Sequence, residues 1–341
     1  MSINPYKKAL KVFRDRQQGL PFYMAMENSF NAARRNHQSL QPDRLSHYCS
    51  SEVAIKIFEN CIMWLTDIRK MNDKSELLYA INALNDGADN LEIEHPLYKE
   101  FPSIIRQDIN NLLGNSVNND KAQDCVSSVR NKIVMATCFS IYHDDANMWR
   151  LYGDNAAGVE IRFNSKLLAV ASDCFGHFIP NAGAYETGFV KVCYQGDRCD
   201  CLQILGNQVI DAYLEAVDDL ERSMLRSLIY YSVSDFLMSH KHPSFHGEGE
   251  YRLFTHIPIN KTWSGSDYLY DHPNGITQYT PFAFGANAIG YRGLSDFLPK
   301  LIHSVNLGPH IEEQHKESLV ARLAELGISD KLQMSSIPIR K

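Results

Sequence analysis

The chain has 341 residues, of which 44% are hydrophobic and 22% are charged, so it can bury a substantial core and is not expected to be disordered. Its formal net charge of −6 and its pI near 6.1 exclude a general electrostatic attraction to nucleic acid or to an anionic membrane surface. No segment approaches the roughly 20 apolar residues of a membrane span, and no signal-peptide pattern is present. We therefore expect a cytoplasmic protein with reduced, packed cysteines, since none of its eight cysteines forms a C-x-x-C pair.

The first segment, residues 1–40, is predicted to be a helical extension. Apolar residues recur at helical spacing on both sides of the break at 19–21, where glycine and proline interrupt the pattern. We expect this extension to pack on one main domain that spans residues 41–341.

The main domain is predicted to begin with a short strand that contains His47 and Tyr48. Ser50 follows as a helix N-cap, because its hydroxyl can accept from the first free backbone amides of the next segment. The apolar run 62–66 then predicts a second strand.

A polar helical region follows the second strand. Asn72 or Asp73 with Glu76 has the spacing of a capping box, which is favoured over a functional role because capping alone explains these residue types. Residues 85–130 are polar and helical in pattern, and we interpret them as a helical insertion that covers one edge of the domain.

The central stretch of the chain consists of two predicted strands, 133–140 and 158–163, joined by a short helical piece. On that piece Met148 and Tyr152 share a helix face and Trp149 flanks it. Such a group between two strands is either a plug of the core or the aromatic wall of a ligand pocket, and the pattern alone leaves both interpretations open.

The remaining elements complete the fold class. Residues 202–238 are predicted to be one long amphipathic helical region, and 300–305 and 333–338 to be strands on either side of a helix over 311–326. We predict an α+β fold with a single mixed, twisted sheet. Four segments are expected to enter that sheet, namely 133–140, 158–163, 189–194 and 250–257.

A charged group marks the start of the last of these strands. In an extended chain Glu248, Glu250 and Arg252 project to the same face. One interpretation is a solvated edge with a weak Glu–Arg pair. The other is a pair of carboxylates at the mouth of a cleft, which Gly247 and Gly249 favour because glycine allows close backbone approach.

No metal site is predicted. His240, His242 and His246 lie close in sequence, but the extended stretch around them offers no fourth ligand for zinc. The chain also lacks the P-loop, dinucleotide-binding, zinc-protease and nucleophile-elbow motifs.

Several short pieces of sequence, in a fixed order over roughly residues 45–340, point to a known family. They are His47-Tyr48-Cys49-Ser50, Trp64 with Asn72-Asp73-x-x-Glu76, Cys138-Phe139-Ser140, Met148-Trp149-x-x-Tyr152, Gly158-Val159, Glu248-x-Glu250-x-Arg252 and Ile337-Pro338-Ile339-Arg340. With these pieces the chain resembles the bacterial DUF2971 family of unknown function, some of whose relatives are described as AbiGi-type abortive phage-infection proteins. The resemblance implies an α+β domain and a role in defence against phage.

A fainter resemblance concerns mechanism. An early strand with a histidine, an aromatic middle segment and a late Glu-x-Glu strand are ordered as in ADP-ribosyltransferases, which use NAD. By this resemblance Glu250 or Glu248 is catalytic, because a carboxylate that faces an oxocarbenium-like transition state stabilises it. His47 holds the adenosine ribose or the pyrophosphate, and Tyr152 or Trp149 stacks on nicotinamide. The residues expected to bind NAD are His47, Tyr48, Trp149, Tyr152 and Arg252.

Two functions of different classes follow from these patterns. The first is an NAD-cleaving or ADP-ribosyltransferase-like effector of anti-phage defence, acting on NAD and on a protein target. The second is a non-catalytic sensor or adaptor that binds a nucleotide or a phage component and contacts a partner defence protein. The first requires His47, Trp149, Tyr152 and Glu250 to line one concave site.

Overall fold

The computed structural model describes residues 4–17, 42–68, 76–89, 132–169, 171, 187–194, 201–258, 269–272, 275–284 and 297–339. Within these ranges the chain forms helices and a mixed sheet, so the α+β class is confirmed. No helix in the described ranges combines the length and the apolar character that a membrane crossing requires.

The described strands join into one ten-stranded sheet in the order β10-β9-β4-β1-β3-β2-β8-β7, with β6 beside β3 and β5 beside β6. The β9–β10 pair is parallel and the other pairs are antiparallel. All four segments expected in the sheet are present in it, as β3, β4, β5 and β6. The strands are β1 Arg44–Cys49, β2 Ile62–Asp67, β3 Lys132–Ser140, β4 Val159–Asn164, β5 Thr187–Lys191, β6 Glu250–Pro258, β7 Leu269–His272, β8 Gly275–Ala283, β9 Ile302–Leu307 and β10 Leu332–Met334.

The helices flank this sheet, and short 3-10 turns cover Asp154–Ala156, Pro243–Glu248 and Ser329–Lys331. The helices are α1 Pro5–Gln17, α2 Ser51–Asn60, α3 Glu76–Asp89, α4 Ala146–Leu151, α5 Cys201–Glu215, α6 Asp219–Ser239, α7 Phe297–Leu301 and α8 Glu313–Glu325. The helix α6 contacts β5 and β6, and α1, α3 and α5 pack against α6.

Local sequence signals account for the helix starts. Ser50 caps α2 by accepting from Val53 N at 3.3 Å, as its residue type predicts. Asp218 caps α6 by accepting from Glu221 N at 2.8 Å. The region 202–238 is therefore two helices and not one, because Asp218 starts a new helix.

Two further boundaries differ from the expected ones. The strand expected over 300–305 begins at Ile302, because α7 occupies the residues before it. The strand expected over 333–338 is limited to Leu332–Met334, the part that pairs with β9. The second half of the N-terminal extension, the caps Asn72 and Asp73, and the insertion beyond Asp89 lie outside the described residues.

One face of the sheet carries the main hydrophobic core. Side chains from alternate strand positions, such as Ile161, Phe163 and Leu253, are fully buried against α2, α7 and α8. Burying each large apolar side chain contributes about 1.5–3 kcal/mol relative to leaving it exposed. Because side chains alternate along a strand, the remaining side chains of these strands point to the opposite face of the sheet.

The opposite face of the same strands is polar at its centre. Strand register places Ser46 of β1 opposite Ser140 of β3, and Ser140 opposite Glu250 of β6. Two residues after Ser46 on the same face of β1, Tyr48 lies opposite Glu160 of β4. The polar residues of five neighbouring strands, counting β9, are thereby brought to one surface beneath α4.

Candidate functional site

Four buried charged side chains form a network at the start of β6. Lys241 Nζ lies 2.6 Å from Glu248 Oε2 and 3.1 Å from Glu250 Oε2. Arg252 binds Glu250 through two parallel bonds, Nε to Oε1 at 2.7 Å and Nη2 to Oε2 at 3.0 Å. Two cations thus neutralise two carboxylates, and all four side chains are buried. Glu248, Glu250 and Arg252 therefore meet in a packed interior and not at a solvated edge. Glu248 lies in a 3-10 turn, however, and not in the extended chain that the sequence predicted.

A tight turn folds the chain so that Lys241 reaches the carboxylates. The 3-10 turn Pro243–Glu248 ends at Gly249, whose φ of +50° favours glycine. A Cβ at Gly249 would also lie 2.6 Å from Ile141 Cγ1. The hydroxyl of Ser140 donates to Glu248 O at 2.7 Å, which ties this turn to the end of β3. Glycine at position 249 therefore allows the turn to pack closely against Ile141, which follows β3.

The network holds Glu250 in the charged form. Burial raises the pKa of Glu250, but the charge of and the hydrogen bonds from Arg252, with the charge of Lys241, outweigh burial and lower that pKa to about 2. Burial and then the charge of Glu250 raise the pKa of the neighbouring Cys138 thiol well above its usual range. Glu250 is thus ionised at neutral pH and Cys138 is a neutral thiol.

Tyr152 connects the network to the solvent-facing side of α4. Its hydroxyl donates to Glu248 Oε1 at 2.6 Å, and the ring is half-buried. Burial, followed by the hydrogen bond to Glu248, raises the pKa of Tyr152. Asp145 positions this helix by capping it, with its side chain accepting from Asn147 N and Met148 N. Tyr152 is therefore less buried than the four charged side chains of the network.

Trp149 occupies the core between α4 and β1. Its side chain is fully buried and its ring meets Tyr48 edge-on at a centroid distance of 5.2 Å. Its Nε1–H donates to Asp144 Oδ1 at 2.8 Å. The Tyr48 hydroxyl in turn donates to Tyr142 O at 3.1 Å. Trp149 is therefore a core residue, which agrees with the first of the two interpretations of the aromatic group. Of the two rings, Tyr152 is the one that is partly exposed.

His47 is not brought to this network. Its ring lies 5.8 Å from Phe139, which belongs to the main core, and its Nδ1 contacts Cys138 O at 2.9 Å. Burial lowers the pKa of His47, although the bond to Cys138 opposes this. Because neighbouring strand residues face opposite ways, His47 and Tyr48 lie on opposite faces of β1. The expected convergence of His47 with Tyr152 and Glu250 on one surface is not observed.

A second polar cluster lies on the same sheet face, around Glu160. Its side chain is 0% exposed and accepts from Ser46 Oγ at 2.5 Å and from Asn306 Nδ2 at 2.7 Å. His143 Nδ1 lies 2.9 Å from Glu160 Oε1, and Asp144 N donates to Glu160 Oε2 at 3.3 Å. Together these groups satisfy a carboxylate that has no access to water.

The sequence interpretation missed Lys241 and the Glu160 cluster. Glu160 alternates with apolar residues in β4, a pattern that usually marks a solvated side chain. It is buried because α4 and the chain after β10 cover this face as well. Lys241 carries no spacing signal, because the turn before Gly249 brings it to the carboxylates.

The histidines near the network do not form a metal site. His240 Nδ1 contacts Phe236 O at 2.8 Å, and His242 and His246 are exposed. In the part of the chain that the structure describes, no group of three or more His, Cys, Asp or Glu side chains has the arrangement of a metal site.

Comparison with known proteins places the network within a family segment. Residues 148–253 match the model of a family described as protein of unknown function (DUF2971). The match confirms the resemblance to this family, and its segment contains Trp149, Tyr152, Glu248, Glu250 and Arg252. No curated protein and no solved structure matches the chain significantly.

Proposed function

We propose that the protein cleaves NAD at the nicotinamide–ribose bond, as a hydrolase or as an ADP-ribosyltransferase, with Glu248 as the catalytic carboxylate. The observation that carries the proposal is the buried network of two carboxylates and two cations that ends at Tyr152. Burying four charges costs free energy that apolar packing would save. Buried ionised groups beside an accessible polar side chain are typical of functional sites.

The roles of the two carboxylates differ in this proposal. Glu250 is engaged by Arg252 and Lys241 and serves as a positioning residue. Glu248 shares Lys241 and turns its other oxygen toward the half-buried Tyr152. When the bond from ribose C1′ to the nicotinamide nitrogen breaks, nicotinamide leaves with the electron pair and C1′ becomes cationic. Glu248 faces that charge, and water or a target nucleophile bonds to C1′ and loses a proton.

Tyr152 supplies the remaining recognition in this scheme. Its ring stacks on the nicotinamide, and its hydroxyl holds the Glu248 carboxylate in place. NAD is the substrate and a protein is a further acceptor. The resemblance to the DUF2971 family, some of whose relatives are described as AbiGi-type proteins, supports a role in anti-phage defence, in which loss of NAD or modification of a target arrests the infected cell.

A specific observation favours a second candidate, a non-catalytic sensor or adaptor. Both oxygens of Glu250 and both oxygens of Glu248 already accept hydrogen bonds within the chain. In that case the network holds α4 and β6 together, and a nucleotide or phage component binds without being cleaved.

The proposal is tested by chromatography of free nicotinamide after incubation with NAD. Glu248→Gln is expected to lower turnover by roughly a hundredfold or more, because the amide lacks the charge that faces the developing cation. Tyr152→Phe keeps both carboxylates and is expected to lower turnover about tenfold, by releasing one hydrogen bond that orients Glu248.

The matched control is Glu317→Gln, an exposed glutamate on α8, which should behave as wild type. Circular dichroism reports whether each variant is folded. A folded wild-type protein that releases no nicotinamide, or folded Glu248→Gln and Tyr152→Phe variants with full turnover, would exclude the catalytic proposal.

A further inference from the structure

The Glu160 cluster holds a histidine in a fixed orientation at the protein surface. Because a carboxylate only accepts hydrogen bonds, His143 donates through Nδ1 to Glu160 at 2.9 Å. The Nε2 edge of the ring then points away from Glu160, and 35% of the His143 side chain is exposed. A buried carboxylate therefore aims the second nitrogen of the ring outward.

The loop that carries His143 is rigidly held. The next residue, Asp144, has a φ of +48°, in the left-handed region that Asp adopts more readily than most side chains. Its carboxylate accepts from Trp149 Nε1 at 2.8 Å and from Ser335 Oγ at 2.5 Å, and its backbone N–H donates to Glu160. These bonds from α4, β4 and the chain after β10 fix the backbone at His143.

Positive side chains gather beside this histidine. Arg162 lies two residues beyond Glu160 on the same face of β4. Arg44 of β1 pairs with Asn164 and is therefore diagonal to Arg162. Burial and then the positive charges of Arg44, Arg162, Lys331 and His143 lower the pKa of His303. The structure records no ion pair of Arg44 or Arg162 with a carboxylate of the described residues. Fixed positive charge of this kind attracts an anion.

The cluster also contains an unsatisfied polar atom. Asn306 Oδ1 is buried and has no hydrogen-bond partner among the described residues, although Nδ2 of the same amide binds Glu160. The amide cannot be reversed, because its oxygen would then face the carboxylate. Because phosphate oxygens also accept hydrogen bonds, this atom is not a contact for an anion, and binding of an anion depends on the cations.

We infer that His143, Arg162 and Arg44 form a binding site for the phosphate groups of a small molecule, with inorganic diphosphate as its simplest ligand. Arg162 and Arg44 neutralise the phosphate oxygens, and His143 donates or accepts through Nε2. The site is independent of NAD cleavage. Glu160 on β4 and Glu250 on β6 are three strand spacings apart, about 14 Å.

Charge and size point to a small ligand and not to nucleic acid. The chain has a net charge of −6, which repels a long polyanion as a whole. Arg44 and Arg162 supply two positive charges, which suit one small anion, whereas Lys331 already pairs with Asp330 at 3.6 Å. Long nucleic acids need a row of phosphate contacts instead.

The test is isothermal titration of sodium pyrophosphate into the full chain at low salt. We expect saturable binding at one site that weakens as salt is raised. Arg162→Gln and the exposed Arg44→Gln are each expected to weaken it about tenfold, and His143→Asn by a smaller factor, because each removes a charge-assisted or oriented hydrogen bond.

The control variant is Lys11→Gln, an exposed cation on α1, which packs against α5 and α6 and not against β4. It should bind pyrophosphate as wild type does. Arg44→Gln keeps the test sound if Arg162→Gln fails to fold, because Arg44 is exposed. No saturable binding, equal weakening by Lys11→Gln, or binding of single-stranded RNA that pyrophosphate does not compete with, would overturn the inference.

Discussion

At the scale of single residues, the environment of Glu250 predicts how stability depends on pH. Its pKa of about 2 in the folded chain lies below the ordinary value of 4.5. A lowered pKa means that the folded state binds fewer protons than the unfolded state in this range. The stabilisation is therefore complete above pH 4.5 and is lost as the pH falls from 4.5 toward about 2.

Urea unfolding at a series of pH values between 6 and 2 measures this loss directly. The free energy of unfolding of the wild-type protein should fall as the pH is lowered. In Glu250→Gln the free energy of unfolding should fall less over the same pH range, because the amide does not titrate. The amide also removes the negative charge that Arg252 and Lys241 share, so its cost at pH 7 is about 3–5 kcal/mol. Equal acid sensitivity of wild type and variant would refute the role of Glu250.

Trp149 yields a packing prediction. Trp149→Ala should cost about 3–5 kcal/mol, because it removes a fully buried ring beside Tyr48. Leu151→Ala is the matched control on the same helix, since Leu151 is 64% exposed and should change stability by less than about 0.5 kcal/mol. Chemical denaturation gives both values, and similar costs for the two variants would show that Trp149 is not a core residue.

What the sequence reveals at this scale depends on distance along the chain. Glu250 and Arg252 are two residues apart in a strand, so alternation alone predicts their shared face. His143 and Asn306 meet Glu160 from a loop and a distant strand. Such contacts depend on strand order, and no local pattern encodes it.

At the scale of elements, the turn after α4 is closed by direct backbone contact. A Cβ on Gly308 would lie 2.2 Å from Ala156 O, and Gly308 N donates to Gly158 O at 2.9 Å. Gly308→Ala should therefore destabilise the protein by about 1–3 kcal/mol, because backbone and not a flexible side chain must move.

Gly247→Ala provides the control, since a Cβ there meets nothing within 4 Å. It should be neutral or slightly stabilising. The midpoints of thermal unfolding separate the two cases. If Gly308→Ala has the same midpoint as wild type, the turn after β9 is not in close contact with Ala156 and Gly158.

Strong alternation explains which elements were predictable. The segments that became β3, β4, β5 and β6 show it, and Ser50 marks the start of α2. The long helical region was predicted as one helix because apolar spacing continues across the break, while Asp218 and Glu221 already have the spacing of a helix start. The hairpin of β7 and β8 was missed altogether.

At the scale of the whole molecule, the two faces of the sheet differ in chemical character. One face holds the main apolar core, and the other holds the network around Glu250 and the cluster around Glu160, with α4 above them. The fold class followed from the sequence, because each strand pattern is local. The strand order did not follow, because pairs such as β4 with β9 join residues more than a hundred positions apart.

The measurement that tests the central claim most directly is a mass balance on isotope-labelled NAD incubated with the folded wild-type chain. Mass spectrometry follows labelled nicotinamide, free ADP-ribose and ADP-ribose attached to protein. We predict that nicotinamide appears faster than in a protein-free sample, matched by the sum of free and attached ADP-ribose. Intact NAD at all times, with the chain still folded, would contradict NAD cleavage at Glu248.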